Sequence, residues 1–204
     1  MGIINTYFNK SKALTLVEAL RECALKNSER SKSFLYKKYY GYIMAITLRY
    51  VKNEYDAEEL TNESFIRVFK NFHNFNYQIE EERLDKSFRA WIARIAVNIS
   101  IDFLRAKKTM ESLDAINELD SISPLVASNQ TLEVEDIYKL LFELPDIQRS
   151  IFNLFEIEGY SHEEIGSMLN IPDSTSRTYL TRAKQKLRKL YESSQLTYNN
   201  SNHE

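Results

Sequence analysis

The chain has only 4 Gly and 3 Pro in 204 residues. Gly and Pro are the residues that most readily let a backbone reverse direction. So few of them exclude a β-sandwich or barrel with its many tight turns. Long helices with few breaks meet the constraint. The breakers that do occur are informative: Pro145, Gly159 and Pro172 divide the last third into short segments, and Pro124 sits in a polar stretch. An apolar content of 43% suffices for a core. No apolar run approaches the ~18 residues of a membrane span. The opening MGIINTYFNKSK has no apolar signal region. The single cysteine, Cys23, excludes an intrachain disulfide and a thiolate-only metal cage, and reads as a small apolar helix residue. A reducing, cytoplasmic setting is expected.

The formal net charge is -2, which taken whole argues against a nucleic-acid binder. Its distribution argues otherwise. Residues 30–110 carry net +5, residues 111–147 carry -8, and residues 148–192 carry +1. Two mildly basic modules flank an acidic connector. From Met110 to Gln130 the connector is rich in Ser, Asn, Asp and Glu and lacks a helical stripe. Such a segment buries too little apolar surface to offset chain entropy, so a flexible linker is expected. The fold class is therefore all-α: two small helical domains, 1–109 and 131–192, joined by a linker over 110–130, with a polar, disordered tail over 193–204.

In the N-terminal module, apolar residues recur at helical spacing. Leu14, Val17, Leu20 and Ala24 form one stripe, and Phe34, Leu35, Tyr39, Ile43, Ile46 and Tyr50 a second. A third, led or capped by Asp56, runs through Leu60, Phe65, Val68, Phe69 and Phe72. The fourth starts from Ser87 as N-cap and runs through Phe88, Trp91, Ile92, Ile95, Ile99 and Phe103. Its opposite side aligns Arg94, Asn98, Asp102 and Arg105. Two features stand apart from packing. Asp56, Glu58, Glu59 and Glu63 cluster at the start of the third helix, where acids also complement the helix dipole. The loop Asn71–Lys86 carries Phe72, Phe75 and Tyr77 beside a basic helix. Aromatics so placed can stack unpaired bases, or simply anchor the loop.

The C-terminal module opens with a helical stretch, Leu132–Leu144, and a second over Asp146–Glu158. Ser161 and Glu164 form a capping box for a short helix. Asn170, Ile171 and Pro172 make a turn, and Asp173 or Ser174 caps a further helix. This is the outline of a helix-turn-helix, whose second helix enters the major groove. Gly166 lies where the first helix needs a small side chain. Between Ser174 and Tyr191 there are six cations and no acid: Arg177, Arg182, Lys184, Lys186, Arg188 and Lys189. Leu180, Ala183, Leu187 and Leu190 form the inner seam. DNA contact by this helix is expected.

Three ordered segments, Asp56–Phe72, Ser87–Arg105 and Glu143–Lys189, now make a specific match. The chain resembles the extracytoplasmic-function (ECF) sigma factors of the sigma-70 family. The resemblance covers most of residues 14–191. It implies a subunit that directs bacterial core RNA polymerase to specific promoters and aids promoter opening. It implies polymerase contacts by Asp56, Glu58, Glu59, Leu60, Asn62, Glu63, Phe65 and Phe69. It implies duplex recognition at the -35 element by Ser174, Thr175, Ser176, Arg177, Tyr179, Arg182 and Lys184. For the -10 element and strand capture it implies Phe75, Asn76, Tyr77, Lys86, Arg89, Arg94, Asn98 and Arg105. It also implies a linker threading the polymerase's nucleic-acid channels, where the acidity of residues 111–147, net -8, suits a basic groove. An anti-sigma factor is a frequent partner in the family. The chain departs from the family pattern at Asn62, Val97 and Ser176, where Gln, a basic residue and an aliphatic are usual.

Two other function classes make different demands on the sequence. A helix-turn-helix regulator outside the polymerase would need only the C-terminal module. An enzyme acting on nucleic acid would need a site, yet His73, His162 and His203 are scattered and no phosphate-cradling Gly-rich loop occurs. No metal, cofactor, enzymatic activity or membrane insertion is expected.

Overall fold

A computed structural model describes residues 13–113 and 138–201. Among them every regular element is helical. The N-terminal module comprises α1 (Leu16–Lys26), α2 (Glu29–Thr47), α3 (Glu54–Lys70), a 3-10 turn (Phe72–Asn74) and α4 (Glu81–Leu113). The C-terminal module begins with a helical turn over 138–142. It continues with α5 (Asp146–Phe152), which runs on as a π-helical turn (Asn153–Ile157), then α6 (His162–Leu169) and α7 (Asp173–Ser201). The expected linker, from residue 114 onwards, lies outside the described residues, as do 131–137 and the tail from 202.

Cap chemistry sets most helix starts. Thr15 and Glu18 form a capping box before α1, and the Ser28 side chain accepts from the Ser31 N–H before α2. Asn53, rather than Asp56, caps α3. Its side-chain oxygen accepts from the Asp56 N–H at 2.7 Å, which places Asp56 inside the first turn. The fourth helix starts at Glu81, so Ser87 is interior and not an N-cap. Glu81 and Glu82 favour the positive helix end, and Leu84, 2% exposed, ties that turn to the core. No Gly or Pro interrupts residues 81–113, so α4 also passes the boundary expected at 109. For the same reason α7 continues to Ser201, through most of the stretch expected as a disordered tail.

The N-terminal core is built from Leu20, Leu35, Tyr39, Ile43, Phe88 and Ile92, all wholly buried. Each such apolar side chain contributes about 1.5–3 kcal/mol on burial. Where α2 crosses α3, the buried Thr47 hydroxyl lies 3.1 Å from both the Thr61 hydroxyl and the Ala57 carbonyl, so the polar atoms in this seam are satisfied. Val97, where the family usually has a cation, is wholly buried. In the C-terminal module Ile151, Leu154, Ile165 and Leu180 meet at the centre, and their cluster is continuous with that of the N-terminal module.

Candidate nucleic-acid and protein interfaces

The short α6 is bounded by chemistry at both ends. The Ser161 hydroxyl accepts from the Glu164 N–H at 3.2 Å, and the Glu164 carboxylate accepts from the Ser161 N–H at 2.8 Å. At the other end Asn170 takes the left-handed conformation, φ 53°, and stops the helix. The turn then passes so close that a Cβ on Gly166 would lie 2.8 Å from the Ile171 carbonyl oxygen. This brings α7 across α6 in the helix-turn-helix arrangement.

On α7, Leu180 and Ala183 face inward. So does Ser176, which is fully buried and cannot meet DNA as expected. Its hydroxyl lies 2.9 Å from His162 Nδ1, and the imidazole stacks on Phe155 at 4.4 Å. A hydrogen bond here stands in for the usual aliphatic packing. Desolvation, then the Arg177 cation, holds the His162 imidazole below its ordinary range. Ser174, Arg177 and Arg182 are exposed, with Thr175 and Tyr179 half-buried between them. Arg177 lies 3.6 Å from Asp173, and Arg182 sits over the Tyr179 ring at 5.8 Å. Lys184 is exposed but turns back to Glu156 at 2.7 Å, and Lys186 donates to the Glu143 carbonyl.

On α4, Lys86, Arg89, Arg94, Asn98 and Arg105 are exposed, with Arg94, Asn98 and Arg105 aligned on one side. Arg89 donates to Asp85 at 2.8 Å and lies 5.2 Å over the Tyr42 ring. Arg105 donates to Asp102 at 2.5 Å and to the Met168 carbonyl at 3.2 Å. Arg94 and Tyr160 line one shallow cleft with Asn98, Glu163 and Glu164. In the preceding loop, Asn76 is exposed and accepts from the Gln78 N–H at 3.0 Å, while Tyr77 is half-buried. Phe75 is a correction: it is 6% exposed and packs against Phe88 at 5.1 Å and Trp91 at 5.2 Å. Four rings share this cluster, so Phe75 anchors the loop and cannot stack a base.

On α3, Glu58, Glu59 and Asn62 are exposed, and Asp56, Glu63 and Phe69 are half-buried. Leu60 and Phe65, expected as contact residues, are 4% and 2% exposed and brace the helix from behind. The Tyr36 hydroxyl donates to Asn62 Oδ1 at 2.9 Å. Tyr55 and Ile66, 77% and 62% exposed, were missed by the pattern reading. With Glu59 and Asn62 they fall on one helix face. The signal was present in the sequence: two large apolar residues outside the core stripe.

Residues 35–109 match the family model Sigma-70 region 2, and residues 135–187 match Sigma-70, region 4. The ECF RNA polymerase sigma factor SigW of Bacillus subtilis is 33% identical over 159 residues, covering 72% of this chain and 81% of that protein. The ECF RNA polymerase sigma-E factor of Escherichia coli K12 is 25% identical over 182 residues, covering 82% and 90%. The sigma factor RpoE of Bartonella quintana, solved in complex with the anti-sigma factor NepR, is similar in fold. Its TM-score is 0.53 at 18% identity, over 78% of this chain and 96% of that one.

Proposed function

The chain belongs to the ECF RNA polymerase sigma factors of the sigma-70 family, and from that premise we propose how its residues divide the work of promoter recognition. The sigma factor directs core polymerase to specific promoters and aids their opening. The acidic face of α3, led by Glu58, Glu59 and Asn62, docks on the polymerase, with Asp56, Glu63 and Phe69 at its margin. Leu60 and Phe65 support that face from the core. The outer side of α7 reads duplex DNA at the -35 element through Ser174, Thr175, Arg177 and Tyr179, with Arg182 and Lys184 towards phosphates. The loop residues Asn76 and Tyr77, with Lys86, Arg89, Arg94, Asn98 and Arg105, engage the -10 element and the opened strand.

The domain division follows: residues 1–109 for polymerase binding and melting, with α4 extending beyond them, and 131–192 for -35 recognition. The role is one of recognition and not of catalysis, and the place of action is the cytoplasm with the polymerase. Among the described residues no helix is long and apolar enough to cross a membrane. An anti-sigma factor is proposed as a further partner, as for the Bartonella relative.

One observation carries the reading: two sigma-70 regions in order, each with its exposed polar face intact. Transcription with purified core polymerase and a pool of promoter sequences tests it. Start sites that require the chain, and share two spaced elements, are the expected result. Transcripts no different from those of core polymerase alone would overturn it.

A further inference from the structure

We propose that Tyr36, on α2, is a positioning residue for polymerase docking: its hydroxyl holds the Asn62 amide of α3 by the oxygen, so that Nδ2 is offered as a donor to an acceptor on the polymerase. The inference rests on the reading above that the α3 face docks there. It assigns a role in that docking to a residue on another helix.

Packing fixes where the hydroxyl can be. The Tyr36 ring is half-buried. It lies against Phe65, itself 2% exposed, with ring centroids 4.8 Å apart, and against Tyr40 at 5.3 Å. A tyrosine has only two side-chain torsions, and ring contacts on two sides restrict both. The hydroxyl is thereby delivered to one place at the surface, beside α3. There it donates to Asn62 Oδ1 at 2.9 Å. A hydroxyl carries one proton, and this bond uses it.

The bond decides what Asn62 can offer. Asn62 is exposed, and with its oxygen engaged from the α2 side both Nδ2 hydrogens are left for a partner. A loose surface amide would have to be ordered on binding, at a cost in rotamer freedom. An amide already held avoids most of that cost. The usual glutamine of the family reaches one methylene further and has one more torsion to order. Asparagine here is a shorter amide that a neighbour braces.

The setting of the amide makes its bond count. Tyr55, Glu59, Asn62 and Ile66 share one face of α3, with the amide between the two apolar side chains. Tyr55 and Ile66 are the exposed ones noted above, at 77% and 62%. Covered by a partner, they would keep water away on both sides of Asn62. Hydrogen bonds shielded in this way are those whose loss weakens an interface most. The matching polymerase surface carries a carbonyl or carboxylate oxygen with apolar ground on either side.

The test is a double-mutant cycle on the full chain, read as Kd for purified core polymerase and, separately, as thermal unfolding. Tyr36→Phe keeps the ring against Phe65 and Tyr40 and removes only the hydroxyl. It should weaken docking by about three- to tenfold, the effect of one hydrogen bond, and melt with the wild type. Asn62→Ala should weaken docking at least as much. Adding Tyr36→Phe to Asn62→Ala should change docking no further, because there is no amide left to hold. Asn62→Asp keeps an acceptor for Tyr36 but sets an acceptor before an acceptor, and should dock as poorly as Asn62→Ala. A Tyr36→Phe chain that docks like the wild type would overturn the proposal. So would an equal loss in the Asn62→Ala background, which would make Tyr36 a direct contact, and so would full docking by Asn62→Asp. A docking loss matched by early melting would assign Tyr36 to packing and overturn it as well. Glu59→Lys, on the same exposed face, separates the two claims. Docking weakened by Glu59→Lys but not by Tyr36→Phe removes only the positioning role. Docking indifferent to Glu59→Lys and to Asn62→Ala removes the α3 reading itself.

Discussion

Phe75 is the position at which loop chemistry and packing make opposite demands. As a base-stacking residue its ring would lie open to DNA. In the fold it is 6% exposed, with ring centroids at 5.1 Å from Phe88, 5.2 Å from Trp91 and 6.2 Å from Phe72. Truncating such a ring in Phe75→Ala should cost ~3–5 kcal/mol through lost transfer energy and the cavity left behind. The edge-to-face pairs, each contributing about 0.5–1.5 kcal/mol beyond burial, favour the upper half of that range. A whole domain is stable by only about 5–15 kcal/mol, so the loss is large. For a module of this size each kcal/mol lowers Tm by roughly 4–8 °C, which gives a fall of at least ~12 °C. Thermal unfolding of the full chain by circular dichroism reads it directly. Tyr77→Ala is the comparator: the side chain is half-exposed, so its stability change should be much smaller and its effect should fall on promoter opening. A Phe75→Ala variant that melts within a few degrees of wild type, yet no longer opens promoters, would refute the packing argument and return the ring to the DNA.

Three further outcomes follow from named contacts. Gly166→Ala gains about 1 kcal/mol of helix propensity but meets the Ile171 carbonyl at 2.8 Å, and overpacking costs ~1–3 kcal/mol, so a net loss of up to ~2 kcal/mol with weakened -35 binding is expected; a variant more stable than wild type would refute it. Arg177→Ala should weaken -35 duplex binding by ~1–3 kcal/mol on cognate sequence only, while an equal loss on every sequence in a binding panel would make it a phosphate contact. Burial pulls the Asp85 carboxyl upward, but the Tyr39 hydroxyl at 2.7 Å and Arg89 outweigh it and hold it below the ordinary carboxylate range. A depressed carboxyl stabilises the fold above its unfolded pKa, and that contribution is lost as pH falls through the folded one. The stability gap between wild type and Asp85→Asn should therefore be full at neutral pH and shrink on acidification; a gap constant with pH, in urea titrations, would show that the charge is immaterial.

Where the fold depends on chemistry between near neighbours, the sequence was legible. Ser161 with Glu164, Gly159 before them and Pro172 after them delimit α6 with no help from the rest of the chain. Gly166 was identified as a close approach for the same reason: its neighbour across the turn is five residues away. Legibility failed where a side chain's partner lies far along the chain. Leu60 and Phe65 share a helix with Glu58 and Glu59, and periodicity assigns them a stripe without saying whether another helix covers it. Ser176 looked like a hydroxyl offered to DNA because His162, its partner, comes from another helix. The start of α4 was missed because its first turn is polar, and only Leu84 ties it to the core.

The net charge shows how far such distant partners reach into function. Residues 148–192 have a small basic surplus in the sequence, but charge that is counted is not charge that is presented. Arg149 is 1% exposed and bound to Asp146 and two carbonyls. Lys184 is paired with Glu156, and Lys186 is turned onto the Glu143 carbonyl. The cation directed outward near the start of α7 is Arg177, itself 3.6 Å from Asp173, with Arg182 one turn on. Duplex affinity rises with the number of phosphates neutralised, so a recognition helix whose DNA-facing first turns present only two unburied arginines should hold DNA weakly by itself. Weak binding by the isolated subunit is what a promoter-specificity factor needs if the polymerase is to supply the remaining contacts.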